Sequence, residues 1–309
     1  MPYHLIGEHE FETIVIGSDQ IWRGEWENAE EIFLGFTTNW KLNRFVYAAS
    51  FGVPEWQYNE SDTKRASFLL KNIFNGVSVR ELDAIDLCKK HFGITPVLTL
   101  DPVFLVDKSF YINLCQDVKQ KSGFFVYLVG PKEEKRNIIT NFKNKTNCNE
   151  ITITNGVAEE WLAAFRDADF IITDSFHGIA FSLLFNKPFL SFYNEKGGNS
   201  RFATMIKLFN IGNRFVKNEI TNDQLKLLKE SVVLPKSFYK LRKESLRFLK
   251  RNLKKSPNTS AIRIAKKQRL KSQIKKMLKK VFPAGTKRGK FARFFWIKIK
   301  RFRNNFKKE

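Results

Sequence analysis

The sequence predicts an α/β fold carried on parallel strands, of the doubly wound kind. Three observations predict it. Short apolar runs rich in β-branched and aromatic residues alternate with helix-spaced stretches over the first 235 residues. One run, Gly123 to Gly130 (GFFVYLVG), is apolar along nearly its whole length, as a strand covered on both faces must be. From there the order strand, helix, strand, helix, strand repeats to Phe192, the arrangement of a doubly wound sheet.

The elements follow in order. Phe11 to Ile16 (FETIVI) is a strand stopped by Gly17, and Phe45 to Ala49 (FVYAA) is another, ending near Gly52. Ala66, Leu69, Leu70 and Ile73 have helical spacing between Glu60 and Asn75. Val77 to Val79 is a short strand, followed by a helix through Leu82, Ile85 and Leu87, and Pro96 to Leu100 is one more strand. The second series runs from strand 123–130 through a helix over Lys132 to Phe142 and a strand at Glu150 to Ile153. A helix from Ala158 to Ala168, the strand Phe170 to Thr173, a helix through Ile179, Ala180, Leu183 and Leu184, and the strand Phe189 to Phe192 complete it. Leu241, Leu246, Leu249 and Leu253 place a closing helix on the body. Past Ser256-Pro257-Asn258 the composition changes to Lys and Arg mixed with Ile, Leu, Phe and Trp. The expected divisions are therefore 1–110, 111–256 and a tail 257–309.

Charge divides the chain in the same way. The net charge is +23, but from Lys236 onward 28 basic residues face two acids, Glu244 and Glu309. The first 235 residues hold 26 basic and 29 acidic residues. The basic character belongs to the tail. In it Ile262, Ala265, Ile274, Met277, Leu278 and Val281 fall roughly on one helical face. Phe291, Phe294, Phe295, Trp296, Ile297, Ile299, Phe302 and Phe306 then alternate with eight cations between Lys290 and Lys308. Clustered aromatics among cations point to an anionic membrane surface, with a nonspecific polyanion binder as the competing reading. No specific nucleic acid is expected as a partner.

Cys88, Cys115 and Cys148 are odd in number and far apart, with no CxxC or Cys/His cluster, so neither a disulfide framework nor a zinc site is expected. The start, MPYHLIGEHEFE, carries no leader pattern, and the apolar runs fall far short of the ~20 residues of a spanning helix. The expected location is cytoplasmic, at the inner face of the plasma membrane. No GxxxxGK[ST] or GxGxxG occurs, which leaves a nucleotide reading without a fingerprint. No cofactor and no metal are expected, and His4, His9 and His91 are not read as ligands.

The ends of the strands carry the candidate chemistry. Thr173-Asp174-Ser175-Phe176-His177-Gly178 lies at a strand-to-helix turn, where backbone amides favour an anion and an imidazole can move a proton. A capping Asp or Ser beside a histidine that merely packs has the same spacing. Gly17-Ser18-Asp19-Gln20 follows a strand and suits either a crevice rim or a tight turn with a cap. Arg80 can grip a carboxylate or phosphate with its planar fork, or pair on the surface with Glu81 or Asp83. Gly197-Gly198-Asn199-Ser200-Arg201 brings a further cation on a glycine-rich loop, which either closes over an anion or is simply a loop.

These segments resemble, in order, the polysaccharide pyruvyl transferase family: Val15 to Trp22 (VIGSDQIW), Tyr47 to Gly52 (YAASFG), Ser78 to Glu81 (SVRE), Asp101 to Phe104 (DPVF), Ala168 to Gly178 (ADFIITDSFHG) and Lys187 to Phe189 (KPF). The resemblance spans about Phe11 to Leu253. It implies two Rossmann-like domains arranged as in GT-B glycosyltransferases, with the site between them. It also implies transfer of a pyruvyl group from phosphoenolpyruvate to two hydroxyls of a sugar in a surface-polysaccharide intermediate, possibly one carried on a lipid. His177 is then the catalytic residue. Arg80 and Arg201 are expected to bind the donor's anionic groups, and Gly17, Ser18, Asp19, Ser175 and Gly178 to line the site. Family members usually open with a further βα unit, which the first domain is expected to lack, and many carry arginine where Ser175 stands. A nucleotide-sugar glycosyltransferase or a degenerate non-catalytic member are the alternatives.

Overall fold

The computed structural model describes residues 11–24, 29–130, 133–146, 148–154, 156–193 and 200–281. The chain divides into two compact units, Met1–Asn258 and Thr259–Glu309. Within the first unit, β1 (Thr13–Ile16), β2 (Asn43–Ala49), β3 (Val77–Val79) and β4 (Val97–Leu98) form a parallel sheet in that order. The links carry α1 (Ala29–Ile32), α2 (Glu60–Asn72) and α3 (Leu82–Leu87), the last running into a π-helical turn, Cys88–Phe92. All seven residues of β2 are buried, so both faces of the strand are covered. Asn59 caps α2 by accepting from Asp62 N, and the helix buries Ala66, Leu69 and Leu70, the face its spacing predicts.

After α4 (Lys108–Leu114) comes a second parallel series. It consists of β5 (Phe124–Tyr127), α5 (Glu133–Thr146), β6 (Glu150–Ile151), α6 (Ala158–Asp167), β7 (Phe170–Thr173) and α7 (Phe176–Leu184). It continues with β8 (Phe189–Phe192), α8 (Ser200–Phe209), β9 (Phe215–Val216) and α9 (Asn222–Leu227). The sheet order is β6-β5-β7-β8-β9. Side chains sort by the two-residue period of a strand. Phe125, Ile171 and Phe189 enter one core with Phe165, Ile179 and Phe202, whereas Phe124, Phe170, Ile172 and Leu190 enter the other with Phe142. Both faces of β7 and β8 are covered, which explains their continuous apolar sequences.

The final helix of this unit, α10 (Lys236–Leu253), serves both sheets. Phe238, Ser245, Phe248 and Asn252 recur on one face and are buried. Near its start, Phe238 packs against Phe104 and Phe209, with ring centroids 5.5 and 5.7 Å away. Toward its end, Phe248 lies against Phe45 and Tyr47 of β2. Ser245 Oγ accepts from Leu100 N at 2.9 Å, and Asn43 Nδ2 donates to Asn252 O at 2.8 Å.

In the second unit, α11 (Ser260–Val281) holds nine Lys and Arg and no Asp or Glu. Leu270 and Ile274 are exposed. Its apolar and basic residues separate less sharply than those of α10, because cations fall on every side of the helix. Residues 282–309, with the aromatic run from Phe291, lie outside the described residues. Among the described residues no helix is long and apolar enough to cross a membrane.

In a sheet of this order the strand sequence reverses between β5 and β7, which is where α/β folds commonly open a crevice. Asp174 fills that position. Its fully buried carboxylate accepts from Val129 N at 2.7 Å, Gly130 N at 3.0 Å and Lys135 Nζ at 2.5 Å. Asp174→Asn keeps the shape but removes the counter-charge of buried Lys135. We expect a loss of roughly 3–5 kcal/mol, as when one member of a buried ion pair is removed. Urea denaturation followed by circular dichroism checks this, and an unchanged midpoint would refute it.

Candidate active site

The carboxyl ends of four strands, β1, β3, β4 and β7, bring charged side chains to one place. Arg80 follows β3, and its side chain is 1% exposed. Its Nη1 donates to Asp101 Oδ2 beyond β4, and its Nη2 donates to Asp19 Oδ1 beyond β1, both at 2.6 Å. The guanidinium carbon lies 4.4 Å from the centroid of Phe176, at the start of α7. Arg201, in the first turn of α8, reaches the same ring at 5.9 Å and places Nη1 3.8 Å from Asp19 Oδ1. His177 Nε2 lies 3.9 Å from Asp101 Oδ2.

The surface pairing of Arg80 with Glu81 or Asp83 is thus corrected. Past the end of β3, Arg80 points into the cluster and Glu81 turns into a separate buried position where Ser50 Oγ donates to it. Burial raises the Glu81 carboxyl above its usual range, against the pull of Ser50, Arg80 and Arg201. Burial likewise lowers Arg201, and Arg80 lowers it further, to about 10, so it stays cationic at neutral pH. Partial burial would raise Asp19, but the charge and hydrogen bond of Arg80 outweigh it and hold the carboxyl below its usual range. For His177 burial is again the largest influence and lowers the imidazolium; Arg80 and Arg201 add to this, while Asp101 and Asp19 oppose it. His177 is therefore a partly accessible imidazole beside a buried carboxylate, its charged form disfavoured by burial.

The other expected site residues fall into two groups. Gly17 and Gly178 serve the backbone. Gly17 has φ 118°, and a Cβ there would stand 1.9 Å from Tyr47 O; one on Gly178 would stand 2.0 Å from Thr173 Oγ1. Ser18 is half-exposed beside Asp19. Ser175 is buried at the N-cap of α7 and makes no side-chain cap bond, since Thr173 Oγ1 accepts from the Ser175 N–H instead. Of the glycine-rich loop, residues 194–199 lie outside the described residues; Arg201 is brought to the cluster by α8, where Thr204 Oγ1 accepts from Leu82 N at 3.1 Å. His91, not read as a ligand, stacks on Trp56 with centroids 4.0 Å apart.

Asp101, Phe176 and Glu81 lie within the quoted segments, but the sequence assigns none of them a place in the site. Asp101 precedes a proline and reads as a cap, a role it also fills by accepting from Val103 N at 3.1 Å. Its position at a strand end, shared with Asp19 and Arg80, was the available signal. Among the described residues no three His, Cys, Asp or Glu side chains converge so as to hold a metal ion. A surface hollow of about 540 Å³ beside Gly212, Phe215 and Gln224 shares no residue with the cluster.

The model of one family, polysaccharide pyruvyl transferase, matches residues 4–196. The chain belongs to this family. It is a family of transferases, and its description gives the acceptor as polysaccharide. The matched span includes Asp19, Arg80, Asp101, Phe176 and His177, whereas Arg201 lies beyond it. No curated protein matches the chain.

The lowered His177 gives a direct test. In the full-length transferase its Cε1–H resonance, assigned by loss in His177→Gln, should titrate below ~6.5, the ordinary histidine value. The imidazole thus stays neutral as pH falls through that value. Asp101→Asn removes an opposing attraction and should lower the midpoint further. A midpoint above 6.5 would contradict this electrostatic account.

Proposed function

We propose that the cluster binds phosphoenolpyruvate and transfers its pyruvyl group to two hydroxyls of a saccharide, in a site formed between two Rossmann-like domains arranged as in GT-B enzymes. The observation that carries this reading is an imidazole held 3.9 Å from a buried carboxylate and beside two guanidiniums. The chemistry asks for those groups. Two C–O bonds form at the enol carbon, the C–O bond to phosphate breaks, and the methylene carbon becomes a methyl. Of the two hydroxyl protons, one ends on that carbon and the other on phosphate, so a single group able to take and return a proton serves both steps. His177 is that group, and Asp101 stabilises its charged form. Arg80 and Arg201 hold the donor's carboxylate or phosphate.

A nucleotide-sugar donor fits less well. The crevice where such a fold seats a nucleotide is occupied by the buried Asp174 carboxylate, which would face the diphosphate.

The tail extends the proposal. Nine cations without an acid in α11 favour an anionic lipid surface, each basic residue near it contributing ~1 kcal/mol. Such docking, at the cytoplasmic face, would bring the site to an acceptor carried on a lipid. The full chain should sediment with phosphatidylserine-containing vesicles and be released by high salt; equal sedimentation with neutral vesicles would overturn this.

Donor binding is tested by thermal shift. Phosphoenolpyruvate should raise the melting temperature, and Arg80→Ala should abolish the rise. In a phosphate-release assay with a saccharide acceptor, His177→Ala should lose about 10²–10⁴-fold in rate with the fold intact. Turnover at the parent rate would remove His177 from the mechanism.

A further inference from the structure

Asp19 occupies an unusual place for a residue expected only to line the cleft. We propose that its carboxylate is a built-in stand-in for the donor's anionic group, seated between Arg80 and Arg201 and displaced when the donor enters. This rests on the donor-binding reading above.

One oxygen makes three contacts among the described residues. Asp19 Oδ1 accepts from Arg80 Nη2 at 2.6 Å and from Gln20 N at 2.9 Å, and lies 3.8 Å from Arg201 Nη1. Among the described residues three carboxylates act on the two guanidiniums, and they are not equivalent. Asp101 is buried and anchored a second time by Val103 N, and Glu81 is buried and held by Ser50. The Asp19 side chain is 54% exposed. It is the carboxylate that stands between the guanidiniums and solvent.

Leaving requires only a side-chain rotation. The Asp19 backbone is pinned to the end of β2 by Ser50 N, which donates to Asp19 O at 2.9 Å. A pair with one partner open to water is held less firmly than the Arg80–Asp101 pair, in which both side chains are buried. An incoming carboxylate or phosphate therefore exchanges for Asp19 while Asp101 keeps Arg80 in place. Such an exchange leaves the buried guanidiniums compensated both before and after binding. It also sets a threshold, because a weak anion does not displace a tethered carboxylate, while a multiply charged donor does.

Calorimetric titration of the full chain with phosphoenolpyruvate, and separately with inorganic phosphate, tests this in the parent and in Asp19→Asn. The asparagine keeps the acceptor for Gln20 N and loses the competing charge. Both anions should bind roughly fivefold or more tightly to the variant, the scale of one exposed charge pair. Asp19→Ser serves as a second variant, and melting curves confirm that each protein is folded. Affinity unchanged or weakened in the folded variants would overturn the proposal while leaving the donor reading intact if the parent binds phosphoenolpyruvate. Tighter phosphate binding, with phosphoenolpyruvate no better than phosphate in any form, would uphold the exchange and overturn the donor reading. Absence of binding by every folded form would overturn both.

Discussion

Burying the Arg80 guanidinium is the constraint around which this site is organised. A cation with a side chain 1% exposed is costly unless its charge is matched and its N–H groups are engaged. The match comes from Asp101 on one edge, Asp19 on the other and the face of Phe176 across the plane. These groups come from the ends of β4, β1 and β7. Satisfying one arginine therefore requires both sheets to present their carboxyl ends to a common point. The same arrangement leaves His177, next to Phe176, within reach of Asp101.

Parallel topology explains why the chemistry lies at these ends. Strands covered on both faces leave little polar surface except where the chain leaves the sheet, and every strand of a parallel sheet leaves in the same direction. Helix α10 then joins the two cores, with Phe238 packed near Phe104 and Phe209 and Phe248 on β2. Its Ser245 accepts from Leu100 N, immediately before Asp101. A helix far along the chain thus supports the backbone next to a residue of the cluster.

Charge in the cluster is nearly balanced. Arg80 and Arg201 face Asp19, Asp101 and a Glu81 whose burial favours its protonated form. On the proposed reading, anion binding here is a matter of exchange rather than simple attraction to a positive pocket. The uncompensated positive charge of the chain lies elsewhere, in α11 and beyond. The contrast is physical: a compact charge set matched within the cluster and a long run of cations without acids in the tail.

The strands were legible because their sequences are locally consistent. FIIT at β7 and FLSF at β8 have no polar face to disguise, and α2 shows its buried residues by spacing alone; in α10 the leucine spacing marks a neighbouring face, since Phe238, Ser245, Phe248 and Asn252 are the buried residues and Leu253 is exposed. Weak elements were missed. β9 has two residues, and α9 has no buried residue, so neither leaves a period to read. His177, Arg80 and Asp19 could be marked as candidates because each follows a strand in the sequence. Their partners could not. Asp101 is 21 residues from Arg80 and Asp19 is 61, and local spacing reports only neighbours, so the partners it offers Arg80 are Glu81 and Asp83. Composition, period and motif order were enough for the fold class, the family and the positions of the candidate groups. Which carboxylate meets which guanidinium, which one is exposed, and why the charged form of His177 is disfavoured depend on distances between segments remote in the chain. Only packing two sheets against α10 brings those segments together.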